Sequence, residues 1–465
     1  MVDASPQTRD LSAVFKAYDV RGLVPQQIDE DLARAVGSAF VEVVGATEVV
    51  VGHDMRPSSP GLAGAFADGA SAAGADVTMI GLASTDQLYF ASGHLGVPGA
   101  MFTASHNPAQ YNGIKLCRAH AQPVGLETGL AEIRDHVAAG APPGTAATRE
   151  GAIAEHDVLD AYAAHLLSLA PVEGRPLKVV VDAGNGMAGL TAPAVFGRLG
   201  AGRGDAVDLV EMYFELDGTF PNHEANPIEP ANLVDLQRRV VEEGADVGLA
   251  FDGDADRCFV VDEAGRAVSP STVTALIAAR ELRRVPGSSV IHNLITSRAV
   301  PQIVLENGGT PVRTRVGHSY IKATMAETDA VFGGEHSGHF YFRDFWRADS
   351  GMLAALHVLA ALAGSDVPLS VLLADYERYV ASGEINSTVD DQAAVLAALE
   401  AEYGGREGVT VDHLDGLTVG SERWWFNVRA SNTEPLLRLN AEGEDLTTME
   451  TVRDEVLTRI RGGLA

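Results

Sequence analysis

One local pattern recurs three times along the sequence: an apolar run ending in a polar turn, a helical stretch, a second apolar run, and a third that opens into a polar loop. The first pass is Val49-Val50-Val51-Gly52-His53-Asp54, residues 76–81, and residues 99–102 leading into Thr103-Ala104-Ser105-His106-Asn107-Pro108. The second is Lys178-Val179-Val180-Val181-Asp182, residues 208–212, and residues 246–251 leading into Asp252. The third, looser, is Ser289-Val290-Ile291-His292, residues 310–314, and residues 330–332 leading into Gly333-Gly334-Glu335. Strands alternating with helices build mixed or parallel sheets covered on both faces, and ligands bind beyond the carboxyl ends of such strands. All three loops fall there.

The closing stretch has a different character, with helical patterns at residues 393–403 and 447–460 and strand patterns at 424–428 and 436–439. The Ala/Gly/Pro-rich run at 138–147 reads as a linker, and weaker breaks fall near Val260 and at Asp366-Val367-Pro368. The expected fold class is therefore α/β: three tandem mixed-sheet αβ domains plus a C-terminal α+β domain, around a central cleft. The expected domains are residues 1–147, 148–259, 260–371 and 372–465, with the last closing over the cleft through a hinge near Pro368.

A chain of 465 residues is too long for a single core, in keeping with several domains. Its formal net charge of −29 argues against nucleic acid and anionic membrane as partners, because phosphate backbones demand a basic face. An anionic small molecule stays admissible where local cations overcome the global field. Only four lysines occur, at Lys16, Lys115, Lys178 and Lys322, so lysine is rare unless something requires it. Two cysteines make no disulfide framework, and the N-terminus carries no basic region followed by an apolar run. No apolar run approaches the roughly 18 residues needed to span a bilayer, so the expected location is the cytoplasm.

The loops carry the chemistry. Ser105 follows a buried strand end and precedes the backbone break at Asn107-Pro108, which suits a hydroxyl nucleophile beside His106 and ten residues before Lys115; taken alone, the stretch reads more readily as a polar turn. Asp252-Gly253-Asp254-Ala255-Asp256-Arg257 places three carboxylates at alternate positions, which converge on one face if the segment is extended. Such crowding calls for a cation, and oxygen ligands suit Mg²⁺ or Ca²⁺. An EF-hand loop, with Glu263 in twelfth place, is the competing reading; it fails where the sixth place holds Arg257 instead of glycine. Gly334-Glu335-His336-Ser337-Gly338-His339 offers groups suited to a polyhydroxylated ligand, with His318 and Lys322 at the end of the third unit's second strand. Arg429-Ala430-Ser431-Asn432-Thr433-Glu434-Pro435 lies between two strands and combines a guanidinium, hydroxyls, an amide and turn N–H groups into an oxyanion cradle.

These four motifs, in this order and spacing, resemble the α-D-phosphohexomutases, closest to the bacterial phosphomannomutase/phosphoglucomutase group, over essentially the whole chain. The resemblance implies an intramolecular phosphotransferase in which Ser105 carries the phosphoryl group and Mg²⁺ is held by Asp252, Asp254, Asp256 and an oxygen on Ser105. It implies a hexose 1,6-bisphosphate as intermediate and activator, and a phosphosugar as partner. It places Tyr18, Arg21 and Lys115 near the transferring phosphate, with His339 or Lys115 as general base. It assigns Arg257, His318, Glu335, His336, Ser337 and Gly338 to substrate binding, and Arg429, Ser431, Asn432 and Thr433 to the phosphate that stays. His336, where relatives acting on glucosamine or glucose alone carry glutamine or glutamate, points to mannose, with glucose as a second substrate. A lysine carried by dual-specificity members is not evident in residues 293–298. The rival readings are a metal-dependent sugar phosphatase and a non-catalytic calcium or carbohydrate-binding module; oligomeric state is left open.

Overall fold

The computed structural model describes residues 10–140, 149–199, 206–430 and 436–462, and the chain forms two compact units. One comprises Met1–Val268 with Ser337–Ser370, the other Ser269–His336 with Val371–Ala465.

The first unit opens with a mixed sheet whose strands run in the order Val20–Leu23, Tyr111–Arg118, Gly99–Phe102, Glu48–His53, Asp76–Leu82 and Ile153–Glu155. The last four are parallel neighbours, whereas Tyr111–Arg118 is antiparallel to both strands beside it. Val49, Val51, Ala100, Phe102 and Ile114 bury one face against Phe40 and Phe66, carried by the helices Glu30–Val44 and Ser59–Ala72. The first of these starts where the Asp29 side chain accepts from the Leu32 N–H and stops at Gly45, whose φ is +66°. The pair cross closely because Gly37 has no side chain: a Cβ there would lie 2.2 Å from the Phe66 carbonyl oxygen.

The second sheet follows the same logic, in the order Ala267–Val268, Cys258–Asp262, Val247–Phe251, Leu177–Asp182 and Val207–Met212. Its last three strands are parallel, and Cys258–Asp262 turns back antiparallel after the Asp252 loop. The break expected at 259 therefore falls inside a strand, since the change in character at Val260 is the buried middle of Cys258–Asp262. The break expected at 147 likewise precedes Ile153–Glu155, which returns to the first sheet. This unit also holds the antiparallel pair Phe340–Phe342 and Ala348–Asp349, then the helix Gly351–Ala363, buried all round except at Ala361.

In the second unit, Ser289–Asn293 lies parallel between Thr310–Thr314 and Phe332–Gly334. Residues 317–322, read from sequence as the end of a strand, instead begin the helix His318–Thr328 after Gly317. The C-terminal sheet is antiparallel throughout, in the order Val380–Thr388, Leu436–Gly443, Trp424–Ala430, Leu417–Gly420 and Thr410–Asp412. The helices Gln392–Tyr403 and Leu446–Arg461 pack on it through Leu399, Tyr403, Val456 and Ile460 against Phe426, Val428 and Leu439. Among the described residues no helix is long and apolar enough to cross a membrane.

Candidate functional site

Ser105 stands two residues beyond Thr103, which follows the buried strand Gly99–Phe102, in a left-handed backbone conformation (φ +50°) that a residue other than glycine adopts only when held there. Its N–H donates to Thr103 Oγ1 at 2.9 Å. Its hydroxyl donates to Asp252 Oδ2 at 2.7 Å, with His106 Nδ1 at 3.1 Å and Arg257 Nη2 at 3.4 Å. Burial, then the cationic Arg257 and Arg21, push the His106 pKa down to about 2, so that ring is neutral beside the hydroxyl. Arg21, in the edge strand Val20–Leu23, donates to Asn107 Oδ1 at 2.6 Å and to the Ala104 carbonyl at 3.3 Å.

The three carboxylates do converge, by a route different from the one expected. The segment is a tight turn with Ala255 at φ +58°, not an extended strand, and it is the turn that brings Asp252, Asp254 and Asp256 ligand atoms within 4.8 Å of one another. Gly253 is required by the serine loop, because a Cβ there would lie 2.5 Å from the Ser105 carbonyl oxygen. Lys115 Nζ donates to Asp254 Oδ2 at 2.7 Å and Asp256 Oδ2 at 2.6 Å, and Thr85 Oγ1 donates to Asp254 Oδ2 at 2.6 Å. Arg257 grips Asp252 Oδ2 through Nε at 2.9 Å and Nη2 at 2.8 Å.

These contacts set the protonation of the cluster. Burial drives the Asp252 pKa up to about 7, only partly offset by Arg257 and helped by the neighbouring carboxylates. At Asp254 burial is outweighed by Lys115, which holds its pKa below the usual range. For Lys115 itself burial is outweighed by Asp254 and Asp256, so it is firmly an ammonium. Asp254 Oδ1 and Asp256 Oδ1 are buried without a hydrogen-bond partner. Two orphaned carboxylate oxygens beside a third carboxylate that burial tends to protonate form a donor set that fits a hard divalent cation.

His339 joins the same unit's cluster, with Nδ1 3.0 Å from Asp349 Oδ2 and 3.7 Å from Asp256 Oδ1. Its backbone forms a bridge with Arg257. Asp349 is an acceptor, so Nδ1 carries the hydrogen, and burial is outweighed by the charges of Asp256 and Asp349, which raise the pKa of the ring. Tyr18 is half-buried just before Val20–Leu23, and Ser337 and Gly338 precede His339, Gly338 in a left-handed turn (φ +86°) against Phe259.

The second unit holds the other predicted residues. Glu335 is buried and its Oε1 accepts from Asn293 Nδ2 and the Gly317 N–H, each at 3.2 Å. His336 Nδ1 lies 3.3 Å from Ser271 Oγ, and burial lowers its pKa. His318 opens its helix immediately after Gly317. Arg429 is ion-paired with Glu384 at 2.7 Å, a carboxylate that Arg438 Nη1 also reaches at 3.2 Å. Ser431, Asn432 and Thr433 lie outside the described residues. Sequence reasoning missed Thr85 and Arg56, whose contacts come from residues far along the chain, and Asp349, which meets His339 across a turn.

Comparison with known proteins places the whole chain. Four family descriptions match in tandem: Phosphoglucomutase/phosphomannomutase alpha/beta/alpha domain I over residues 12–142, domain II over 160–265, domain III over 269–379, and the C-terminal domain over 384–459. A protein of Xanthomonas campestris pv. campestris described as phosphohexose mutases is 42% identical over 454 residues, covering 96% of this chain and 99% of its own. A phosphomannomutase of Salmonella montevideo is 41% identical, covering 95% and 98%. Among solved structures, a phosphoglucomutase/phosphomannomutase family protein from Burkholderia thailandensis matches with a TM-score of 0.87 at 33% identity, covering 97% of this chain and 98% of that one.

Proposed function

The chain belongs to the phosphoglucomutase/phosphomannomutase family and is a phosphohexomutase, an intramolecular phosphotransferase, and from that premise we propose that it interconverts mannose 6-phosphate and mannose 1-phosphate. The observation that carries the reading is Ser105: a hydroxyl on a constrained loop, 2.7 Å from one carboxylate of a three-carboxylate turn and in reach of Arg257. Preference for mannose over glucose phosphates is supported by His336 between Glu335 and Ser337, and by relatives described as phosphomannomutases. Glucose phosphates are a second substrate.

Ser105 is charged as a phosphoserine. A free hydroxyl of the hexose monophosphate attacks its phosphorus; the bond from phosphorus to Oγ breaks, a bond to the sugar oxygen forms, and the product is a hexose 1,6-bisphosphate. The sugar proton goes to His339 Nε2, since Lys115, tied as an ammonium to two carboxylates, is a poor acceptor. The bisphosphate turns end for end; Ser105 Oγ attacks its other phosphorus, the bond from that phosphorus to the sugar oxygen breaks, and the proton held on His339 goes to the oxygen released. Arg21, Lys115 and Arg257 place positive charge beside the transferring group, while Arg429, Ser431, Asn432 and Thr433 grip the phosphate that stays. Asp252, Asp254, Asp256 and an oxygen on Ser105 would hold Mg²⁺, which when bound supplies charge stabilisation to the phosphoryl oxygens. We assign the reaction to the cytoplasm, where the buried thiols of Cys117 and Cys258 stay reduced.

The test is a coupled assay on mannose 1-phosphate, glucose 1-phosphate and glucosamine 1-phosphate side by side. Turnover is expected to need Mg²⁺, to be primed by glucose 1,6-bisphosphate, to be fastest on mannose 1-phosphate, and to vanish on chelation or in Ser105→Ala. Full activity in Ser105→Ala overturns the phosphoserine, and release of inorganic phosphate in place of isomer makes the protein a phosphatase.

A further inference from the structure

We infer that Arg56, with Asp54 and Thr103, is the positioning clamp that holds Ser105 in its phosphoryl-transferring conformation. The inference rests on the phosphoserine reading above and assigns the serine loop a keeper 49 residues upstream.

Arg56 is 1% exposed, a burial that a guanidinium tolerates only when its donors are met. Its five N–H donors have five acceptors. Nε donates to Asp54 Oδ2 at 3.2 Å; Nη1 to the carbonyls of Pro108 at 2.9 Å and Tyr111 at 3.0 Å; Nη2 to those of Ser105 at 2.9 Å and Asn107 at 2.7 Å. Four of the five are backbone carbonyls, three in the loop that carries Ser105 and one on Tyr111, which opens the next strand, so the planar fork fixes the path of the chain from the nucleophile onward. Asp54 completes the grip. Its carboxylate accepts from the Arg56 N–H at 3.0 Å, from Ser59 Oγ at 2.5 Å and from the Thr103 hydroxyl, and Thr103 Oγ1 in turn accepts the Ser105 N–H.

The peptide groups of Ser105 are thus held from both ends, the N–H through Thr103 and Asp54, the C=O through Arg56. That is what a left-handed serine needs, because φ +50° persists only where the surroundings over-determine it. The Phe220 ring lies 5.1 Å from the guanidinium carbon, and Gly218 comes so near that a Cβ on it would be 2.5 Å from the Arg56 Cα, which closes this side. Arg56 spends none of its five donors on the Ser105 hydroxyl; it acts on the direction in which that hydroxyl points. A phosphoryl donor displaced by about 1 Å loses on the order of a hundredfold in rate.

The test uses the full-length protein and two substitutions. Arg56→Lys keeps the charge and has too few donors for four carbonyls; Thr103→Ala cuts the link from Asp54 to the Ser105 N–H and leaves the ion pair whole, so it serves where Arg56→Lys does not fold. For each, kcat per folded molecule is expected to fall about a hundredfold with KM within about twofold of the parent, and the ³¹P resonance of the phosphoserine to shift. A merely structural role would lower the melting temperature and leave kcat and the resonance of the folded fraction unchanged; that result overturns the clamp. Ser105→Ala is run alongside: if it retains turnover the phosphoserine reading itself has failed, whereas an inactive Ser105→Ala beside fully active clamp variants rejects the clamp alone.

Discussion

At His223 both ring nitrogens face acceptors: Nδ1 lies 2.8 Å from the Glu224 carbonyl and Nε2 2.9 Å from Asp182 Oδ2. Neither neighbour can donate, so only the charged ring satisfies both contacts and the fold favours the imidazolium. Burial opposes that charge, and the Asp182 hydrogen bond and charge outweigh burial, which leaves the pKa above its ordinary 6.5. The linkage sign follows. A raised histidine pKa contributes stability that is fully present below about pH 6.5 and is lost as pH rises through the folded value, each unit of the rise being worth about 1.4 kcal/mol. Urea midpoints measured from pH 5.5 to 8.5 are expected to fall across the upper part of that range in the parent and to flatten in His223→Gln. Equal slopes in both proteins would mean that the ring folds in neutral.

Three helices meet at one buried carboxylate. Asp86, in the helix Thr85–Leu95, accepts from Tyr162 of Leu159–Leu169 at 2.7 Å, from Ser350, the N-cap of Gly351–Ala363, at 2.6 Å, and from Ser84. Burial raises its pKa to about 6 against those three hydrogen bonds, so each donor matters. Ser350 Oγ also accepts the Leu353 N–H at 3.0 Å. Ser350→Ala removes a cap worth about 1 kcal/mol and a donor to a buried carboxylate worth about 2 kcal/mol, and is expected to lose about 3 kcal/mol in urea unfolding, most of it regained in Ser350→Thr. A loss below about 1 kcal/mol would show that water replaces the hydroxyl. The partners are 264 residues apart, and no periodicity or spacing connects them. What the sequence made legible was local: apolar runs broken by Gly and Pro marked the strands of the three αβ units, and alternate aspartates marked the acidic cluster. Even there the physical reason differed, since a turn at Ala255 gathers the carboxylates and not strand periodicity. Val380–Thr388 went unread because this edge strand turns Ser382 and Ser387 inward beside Val380 and Ile385, and a bulge between Ala381 and Glu384 breaks its alternation. Arg56 and Asp349 went unread because their meaning lies in partners brought by other strands and loops.

At the scale of the molecule, the hinge expected near Pro368 would have the C-terminal domain swing alone, and its contacts argue otherwise. Residues 371–465 share a compact unit with 269–336. Within it, Arg313 pairs with Asp412 at 2.6 Å and Arg315 Nε donates to the Leu414 carbonyl at 2.9 Å. Exposed ion pairs of this kind are worth at most about 1 kcal/mol each and do not decide the matter. Glu442 does. It is 2% exposed, and its Oε1 accepts from Trp425 Nε1 at 2.9 Å and from the Arg298 N–H at 3.1 Å, while Arg298 Nη1 donates to the Ser421 carbonyl at 2.5 Å. Pulling the C-terminal sheet away from residues 269–336 would strip a donor from a buried carboxylate and a carbonyl from a half-buried guanidinium, a cost of about 3 kcal/mol before any surface pair is counted. Any ligand-linked movement of the C-terminal domain therefore carries residues 269–336 with it. Because the native cysteines are both buried, dyes placed at Leu305→Cys and Leu446→Cys, exposed positions on the two halves of this unit, report on it directly. Their separation is expected to stay constant when mannose 1-phosphate is added, and to become ligand-dependent once Glu442→Ala and Arg298→Ala remove the buried tie. A change in the otherwise unsubstituted pair would mean that the C-terminal domain hinges by itself.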